Sequence, residues 1–211
     1  MGQRHMTYVV AEIEGLSKSL HVSCLYNQWN FETIQPQKVV RFLKALKGWE
    51  KSGDMVDAQS VCELYHHIAS IVPSGGVSRY HCELEHYTQN YGMHDEDNNN
   101  GWQIVYITRA RGQKKFKVSV GFKPGHEWGD GSQPEAYMAL KTYLDGHLTH
   151  RDGREGKDFL DFIAKGGFSK AEQKALLQIS ASFNKGLIEY AEKLIAAEIN
   201  SARSRKGRAR A

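Results

Sequence analysis

Cysteine, proline and long apolar runs are all scarce in this 211-residue sequence, and each shortage argues against a class of protein. The three cysteines, Cys24, Cys62 and Cys82, are far apart and form no Cys-x-x-Cys pair, so neither a disulfide framework nor a thiolate zinc site is indicated. No uncharged run approaches the roughly 18 apolar residues that cross a bilayer, and the first residues lack the apolar core of a signal peptide. We therefore expect a cytoplasmic protein with no membrane partner.

Motifs for cofactors and for common catalytic centres are also missing. There is no phosphate-binding loop, no dinucleotide fingerprint, no Gly-x-Ser-x-Gly and no His-Glu-x-x-His. The histidine and acidic residues between positions 81 and 97 offer nitrogen and oxygen donors, but they match no accepted metal spacing. We predict no metal and no cofactor, and a binding or accessory protein is favoured over an enzyme.

The composition that remains is typical of a folded domain, with 40% hydrophobic and 25% charged residues. Alternating apolar positions predict strands over residues 6–13, 20–26 and 77–87, and helical spacing predicts helices over 36–48 and 55–71. Further helical patterns cover residues 134–148 and 157–164. These elements predict an α+β fold, in which an antiparallel sheet has helices packed on one face.

The clearest local prediction is a β-hairpin over residues 102–122. A two-residue turn at Gly112-Gln113 would pair Ile107 with Val118, and the same register would pair residue 105 with 120 and residue 109 with 116. The apolar side chains of both strands then share one face, and this agreement between pattern and turn supports the register. The tip of the hairpin would display five cations: Arg109, Arg111, Lys114, Lys115 and Lys117.

A long amphipathic helix is predicted at the C-terminal end of the chain. Ser169-Lys170-Ala171-Glu172 has the form of a capping box, and apolar residues recur at helical spacing after it. A kink is possible at Asn184-Lys185-Gly186. We predict an α+β core domain over residues 6–168, a long helix over 169–201 and a basic tail over 202–211.

The excess positive charge is concentrated in that tail. The whole chain carries a net charge of +4, but five cations lie in residues 202–211, so the preceding residues carry 23 positive and 24 negative charges. Cations at the end of a helix are typical of arms that neutralise phosphates, although many such tails only aid solubility. We therefore predict contact with nucleic acid, or with a nucleic-acid-processing complex, through the hairpin tip and the tail residues Arg203, Arg205, Lys206, Arg208 and Arg210. Compact size and the lack of a cofactor motif would also suit an accessory protein encoded by a phage or a mobile element.

An enzymatic alternative rests on two His-x-Ser/Thr units, one at residues 21–23 and the other at 147–149. Two such units facing each other resemble the signature of two-histidine phosphoesterases, which act on 2′,3′-cyclic or 2′-5′ phosphodiesters. The resemblance implies that His21 and His147 serve as base and acid, and that Ser23 and Thr149 hold the phosphate. The first unit lies on a predicted strand, whereas the second follows a helical pattern and departs from that arrangement.

A third alternative is a protein-binding module that oligomerises through the C-terminal helix. A helix of about 30 residues is about 45 Å long, more than a compact domain of this size is expected to cover. Self-association is the simplest way to bury the remaining apolar surface. We therefore predict a homodimer or higher oligomer with Leu187, Leu194 and Ile195 between chains.

Overall fold

The computed structural model describes residues 4–28, 34–71, 81–82, 101–125, 136–151, 159–165 and 168–209. The strand predicted over 77–87 lies outside these residues except at 81–82, and Arg210 also lies outside them.

Five strands form one mixed sheet in the order β3-β2-β1-β4-β5. They are β1 Arg4–Ile13, β2 Leu20–Gln28, the two-residue β3 His81–Cys82, β4 Trp102–Arg109 and β5 Lys117–Lys123. β1 pairs antiparallel with β2 but parallel with β4, so the prediction of a purely antiparallel sheet is wrong. Two helices separate β2 from β4 in the chain, and a crossover of this kind lets the later strand run in the same direction as β1. Alternation of apolar residues does not distinguish the two directions.

Helices cover both faces of this sheet. They are α1 Ile34–Ser52, α2 Ala58–Ile71, α3 Leu140–Arg151, α4 Phe159–Lys165, α5 Lys170–Ala181 and α6 Lys185–Ala209. Helices α1 to α5 contribute to an apolar cluster on one face, and α6 packs on the other. The core helices therefore lie on one face as predicted, and the covering of the other face by α6 was not predicted. Its physical reason is visible in β1, where the consecutive residues Val9 and Val10 are both fully buried, since a strand covered on both sides has no polar face.

The hairpin of β4 and β5 has the predicted register, with Ile107 opposite Val118. Its connection is wider than predicted, because β4 ends at Arg109 and β5 begins at Lys117. The tight turn spans residues 110–113, and the Gln113 N–H donates to the Ala110 carbonyl over 3.0 Å. Gly112 takes a φ of +76°, which favours glycine at that position.

The predicted long helix is two helices. The capping box at the start of α5 is confirmed: the Glu172 N–H donates to the Ser169 hydroxyl, and the Ser169 N–H donates to the Glu172 carboxylate. α5 ends at Ala181 and α6 begins at Lys185, so the chain breaks just before the predicted kink. The Ser119 hydroxyl of β5 holds this break, since it donates to the Ser182 carbonyl over 2.8 Å and accepts from the Asn184 N–H over 3.0 Å.

Candidate nucleic-acid interface

Helix α6 crosses the sheet and is longer than the sheet is wide. It contacts β5, β4, β1 and β2, and Ile188 packs against Gly121 of β5 near its start. A helix of 25 residues is about 37 Å long, whereas five strands span about 19 Å. Ala202 is buried, while Ser204 and Arg205 are exposed. The last two turns of α6, called here the C-terminal extension, follow Ala202, and the side chains that the structure describes in them are exposed.

Most of the basic tail belongs to this extension. The backbone continues in helical form through residue 209, so four of the five predicted tail cations lie on α6. Arg205 is exposed and forms an ion pair with Glu198 over 3.0 Å. Cations near a helix C-terminus also interact favourably with the helix dipole. The tail is thus helical over its first eight residues.

Arg109, one of the five predicted tip cations, is engaged by the fold. Its side chain is only 9% exposed, and its guanidinium donates to the carbonyls of Val56 and Asp54 over 2.8 and 3.4 Å. The same guanidinium lies 4.7 Å from the ring centre of Phe116. Arg109 therefore links the hairpin to the segment between α1 and α2, and the cations left exposed at the tip are Arg111, Lys114, Lys115 and Lys117.

Acidic residues hold the tip loop in place. The Arg111 N–H donates to Glu14 over 3.1 Å, and the Phe116 N–H donates to Glu50 over 2.8 Å. These bonds fix the loop backbone at both ends. They also place negative charge beside the exposed cations, so the tip is less strongly positive than its sequence indicates.

A cleft of about 790 Å³ lies between the hairpin and the end of β1. Glu12 accepts hydrogen bonds there from the hydroxyls of Tyr106 and Tyr190, the second over 3.3 Å. The two rings meet edge to face with their centres 6.1 Å apart. Burial, together with the charge of Glu12, raises the pKa of Tyr106, and the charge of Glu12 is the main cause of the raised pKa of Tyr190. Both phenols therefore stay protonated and donate.

Sequence reasoning missed this Glu12 cluster, because its members lie far apart in the chain. The available signal was a single carboxylate, Glu12, at the end of an otherwise apolar strand.

No protein-family model, curated protein or solved structure matches the chain, so functional inference rests on the geometry of its residues. Across the described ranges, no group of three His, Cys, Asp or Glu side chains is placed to hold a metal ion. A bilayer-spanning helix, with the necessary length and apolar character, is not found among the described helices.

The two His-x-Ser/Thr units lie on different kinds of element. His21 and Ser23 are on β2, whereas His147 and Thr149 are on helix α3, which packs on β5 at the other side of the sheet. The side chains of His147 and Thr149 lie outside the described residues. Ser23 instead pairs with His66 of α2, whose Nε2 is 2.9 Å from the serine oxygen. Sequence reasoning did not predict this serine–histidine pair.

The three residues predicted to lie between chains differ in exposure. Ile195 is fully buried against the sheet of its own chain, and Leu194 is partly buried beside it. Leu187 is 42% exposed. Ile195 therefore has no exposed surface for a partner chain, and Leu187 is the most exposed of the three.

Proposed function

We propose that the protein binds the phosphate backbone of a nucleic acid through the C-terminal extension of α6, and that the hairpin tip is a second contact. The observation that carries the proposal is the position of the excess charge. Four of the five tail cations lie on the C-terminal extension, while the rest of the chain is close to neutral. Lys and Arg side chains that neutralise phosphates release condensed counterions, which favours binding without base contacts.

The helical form of the C-terminal extension favours this role over that of a solvated tail. A disordered arm loses backbone entropy when it binds, whereas residues already in a helix lose less. The cations at positions 203, 205, 206 and 208 are also one or two residues apart, so they fall within two turns. Four cations therefore lie within two turns at the C-terminal end of α6.

The hairpin tip contributes a weaker contact in this proposal. Arg111, Lys114, Lys115 and Lys117 are exposed, but Glu14 and Glu50 lie beside the loop and Arg109 is engaged by the fold. The hairpin also joins β4 to β5, whereas α6 reaches β2 on the opposite side of the sheet.

The test compares two sets of four charge-neutralising substitutions. One variant carries R203Q, R205Q, K206Q and R208Q at the end of α6. The control carries K170Q, K174Q, K185Q and K193Q, four exposed lysines on α5 and α6. Fluorescence anisotropy with labelled oligonucleotides at several salt concentrations measures binding. The first variant should lose at least tenfold in affinity, and its plot of log affinity against log salt concentration should be less steep by about three. Equal losses for both variants, or no binding by the native protein, would overturn the proposal.

A further inference from the structure

A polar row crosses the end of the sheet on the face that α6 covers elsewhere. Glu12 of β1 lies opposite Thr108 of β4, and Thr108 lies opposite Lys117 of β5. All three line the 790 Å³ cleft, together with Ser19 and Lys115. The row therefore places a carboxylate, a hydroxyl and an ammonium side by side on three neighbouring strands.

An aromatic ring stands beside this row. Tyr190 of α6 is 44% exposed, and its hydroxyl is bonded to Glu12. The edge-to-face contact with Tyr106 fixes the ring from a second direction. An exposed tyrosine ring that is held by a hydrogen bond and by a second ring has little side-chain entropy left to lose when a ligand stacks on it.

The charges of the cleft are separated. Glu12 of the cleft accepts a hydrogen bond from Tyr190, which stands beside the cleft, whereas Lys117 lies two strands away on β5 and Lys115 precedes it in the hairpin loop. A nucleotide carries the matching pattern, because its base has a flat face and N–H donors while its phosphate is an anion. Stacking of bases on aromatic rings next to a basic groove is a common way to hold single strands.

We propose that this cleft binds one unpaired nucleotide, with its base stacked on Tyr190 and its phosphate beside Lys115 and Lys117. The inference rests on the proposed nucleic-acid function and adds a substrate class to it, namely single-stranded nucleic acid. A base in a duplex is stacked on its neighbours, so it cannot present its face to Tyr190 without unstacking. The C-terminal extension, in contrast, contacts phosphates and does not distinguish single strands from duplexes.

The experiment measures anisotropy with a single-stranded oligonucleotide and with the duplex of the same sequence. Removal of one stacking residue costs about 1 to 3 kcal/mol per base, so Tyr190→Ala should weaken single-strand binding by about 5- to 150-fold. Duplex affinity should change less than twofold. Tyr190→Phe, which keeps the ring, should restore most of the single-strand affinity. Leu187→Ala is the matched control, since Leu187 is equally exposed on the same helix.

A direct readout is photo-crosslinking of a single strand that contains 5-iodouracil, with the crosslinked residue identified by mass spectrometry. Crosslinks at Tyr190 support the inference. If Tyr190→Ala binds single strands as tightly as the native protein while the four α6 substitutions abolish binding, the cleft proposal is overturned and the proposed function stands. If the α6 substitutions have no more effect than their control, the proposed function is overturned as well.

Discussion

The side chains buried on the two faces of the sheet differ in polarity. Under α6 the contacts are almost entirely apolar, with Met6 and Val10 of the sheet packed against Ile188 and Ile195 of the helix. The opposite face, under the α1 and α2 layer, holds an apolar cluster that also encloses polar groups. Four of these are almost completely buried: Thr7, Lys38, Tyr65 and Gln103.

Three of the buried polar groups on the α2 face are poorly paired. Thr7 of β1 lies opposite Gln103 of β4, and the Tyr65 hydroxyl lies close to both, which moderates the rise in its pKa that burial causes. None of the three side chains makes a hydrogen bond of normal geometry within the described part of the chain. On the α6 face, in contrast, the buried Ser119 hydroxyl both donates and accepts.

This contrast teaches that burial in this protein has opposite energetic consequences on the two faces. An apolar side chain stabilises the fold by the water-accessible area it loses, whereas a buried polar group without a partner costs about 1 to 3 kcal/mol. Truncation of an apolar residue under α6 should therefore destabilise the protein, and the α2 face should contain polar groups whose replacement is tolerated or favourable.

The largest expected effect concerns Lys38, where burial lowers the pKa to about 7. A lysine in the unfolded chain titrates near pH ~10.4, so between these values the unfolded state binds more protons than the folded state. The free energy of unfolding should therefore rise with pH, by up to about 1.4 kcal/mol per unit and roughly 4 kcal/mol over three units. Below about pH 7 Lys38 is protonated in both the folded and the unfolded state. Burial of its ammonium then lowers the free energy of unfolding by the full amount.

Urea unfolding between pH 6 and about pH 9.5 measures this rise, and Lys38→Met should abolish it. Lys44→Met is the control, because Lys44 is exposed on the same helix. A rise of equal slope in the native protein and in Lys38→Met would show that another group is responsible.

A smaller effect is expected at the α6 face. Ile195→Ala should lower the free energy of unfolding by about 3 kcal/mol, because it leaves a cavity between α6 and the sheet. Leu187→Ala should change it by less than about 0.5 kcal/mol, since that side chain is exposed. Denaturant unfolding measures both. If Leu187→Ala proves costly at tens of micromolar, and light scattering shows a mass that falls on dilution, α6 also packs between chains.

The smallest expected effects have opposite signs on the two faces. Ser119→Ala removes two hydrogen bonds that hold the break between α5 and α6, and it should cost about 1 to 2 kcal/mol. Thr7→Val replaces a buried, unpaired hydroxyl by a methyl group of similar size, and it should stabilise the protein by up to about 1 kcal/mol. Thermal and urea unfolding of the two variants measure the difference. A loss of stability in Thr7→Val would show that the Thr7 hydroxyl makes a hydrogen bond in the native protein in solution.

Local features of the fold were predictable from the sequence because neighbouring residues decide them. The register of the hairpin follows from period-2 alternation, and the start of α5 follows from the reciprocal hydrogen bonds of Ser169 and Glu172. The candidate site was predictable in part. The concentration of charge at the C-terminal end is visible in the sequence, but the engagement of Arg109 depends on carbonyls more than 50 positions away.

The sequence by itself determined the α+β class, the hairpin register, the capping box and the location of the excess charge, since each depends on residue type and short-range spacing. Tertiary structure decided the parallel pairing of β1 with β4, the covering of both sheet faces and the assembly of Glu12, Tyr106 and Tyr190. It also decided that Ile195 packs within its own chain. These features depend on contacts between residues about 90 to 180 positions apart, which local patterns do not encode.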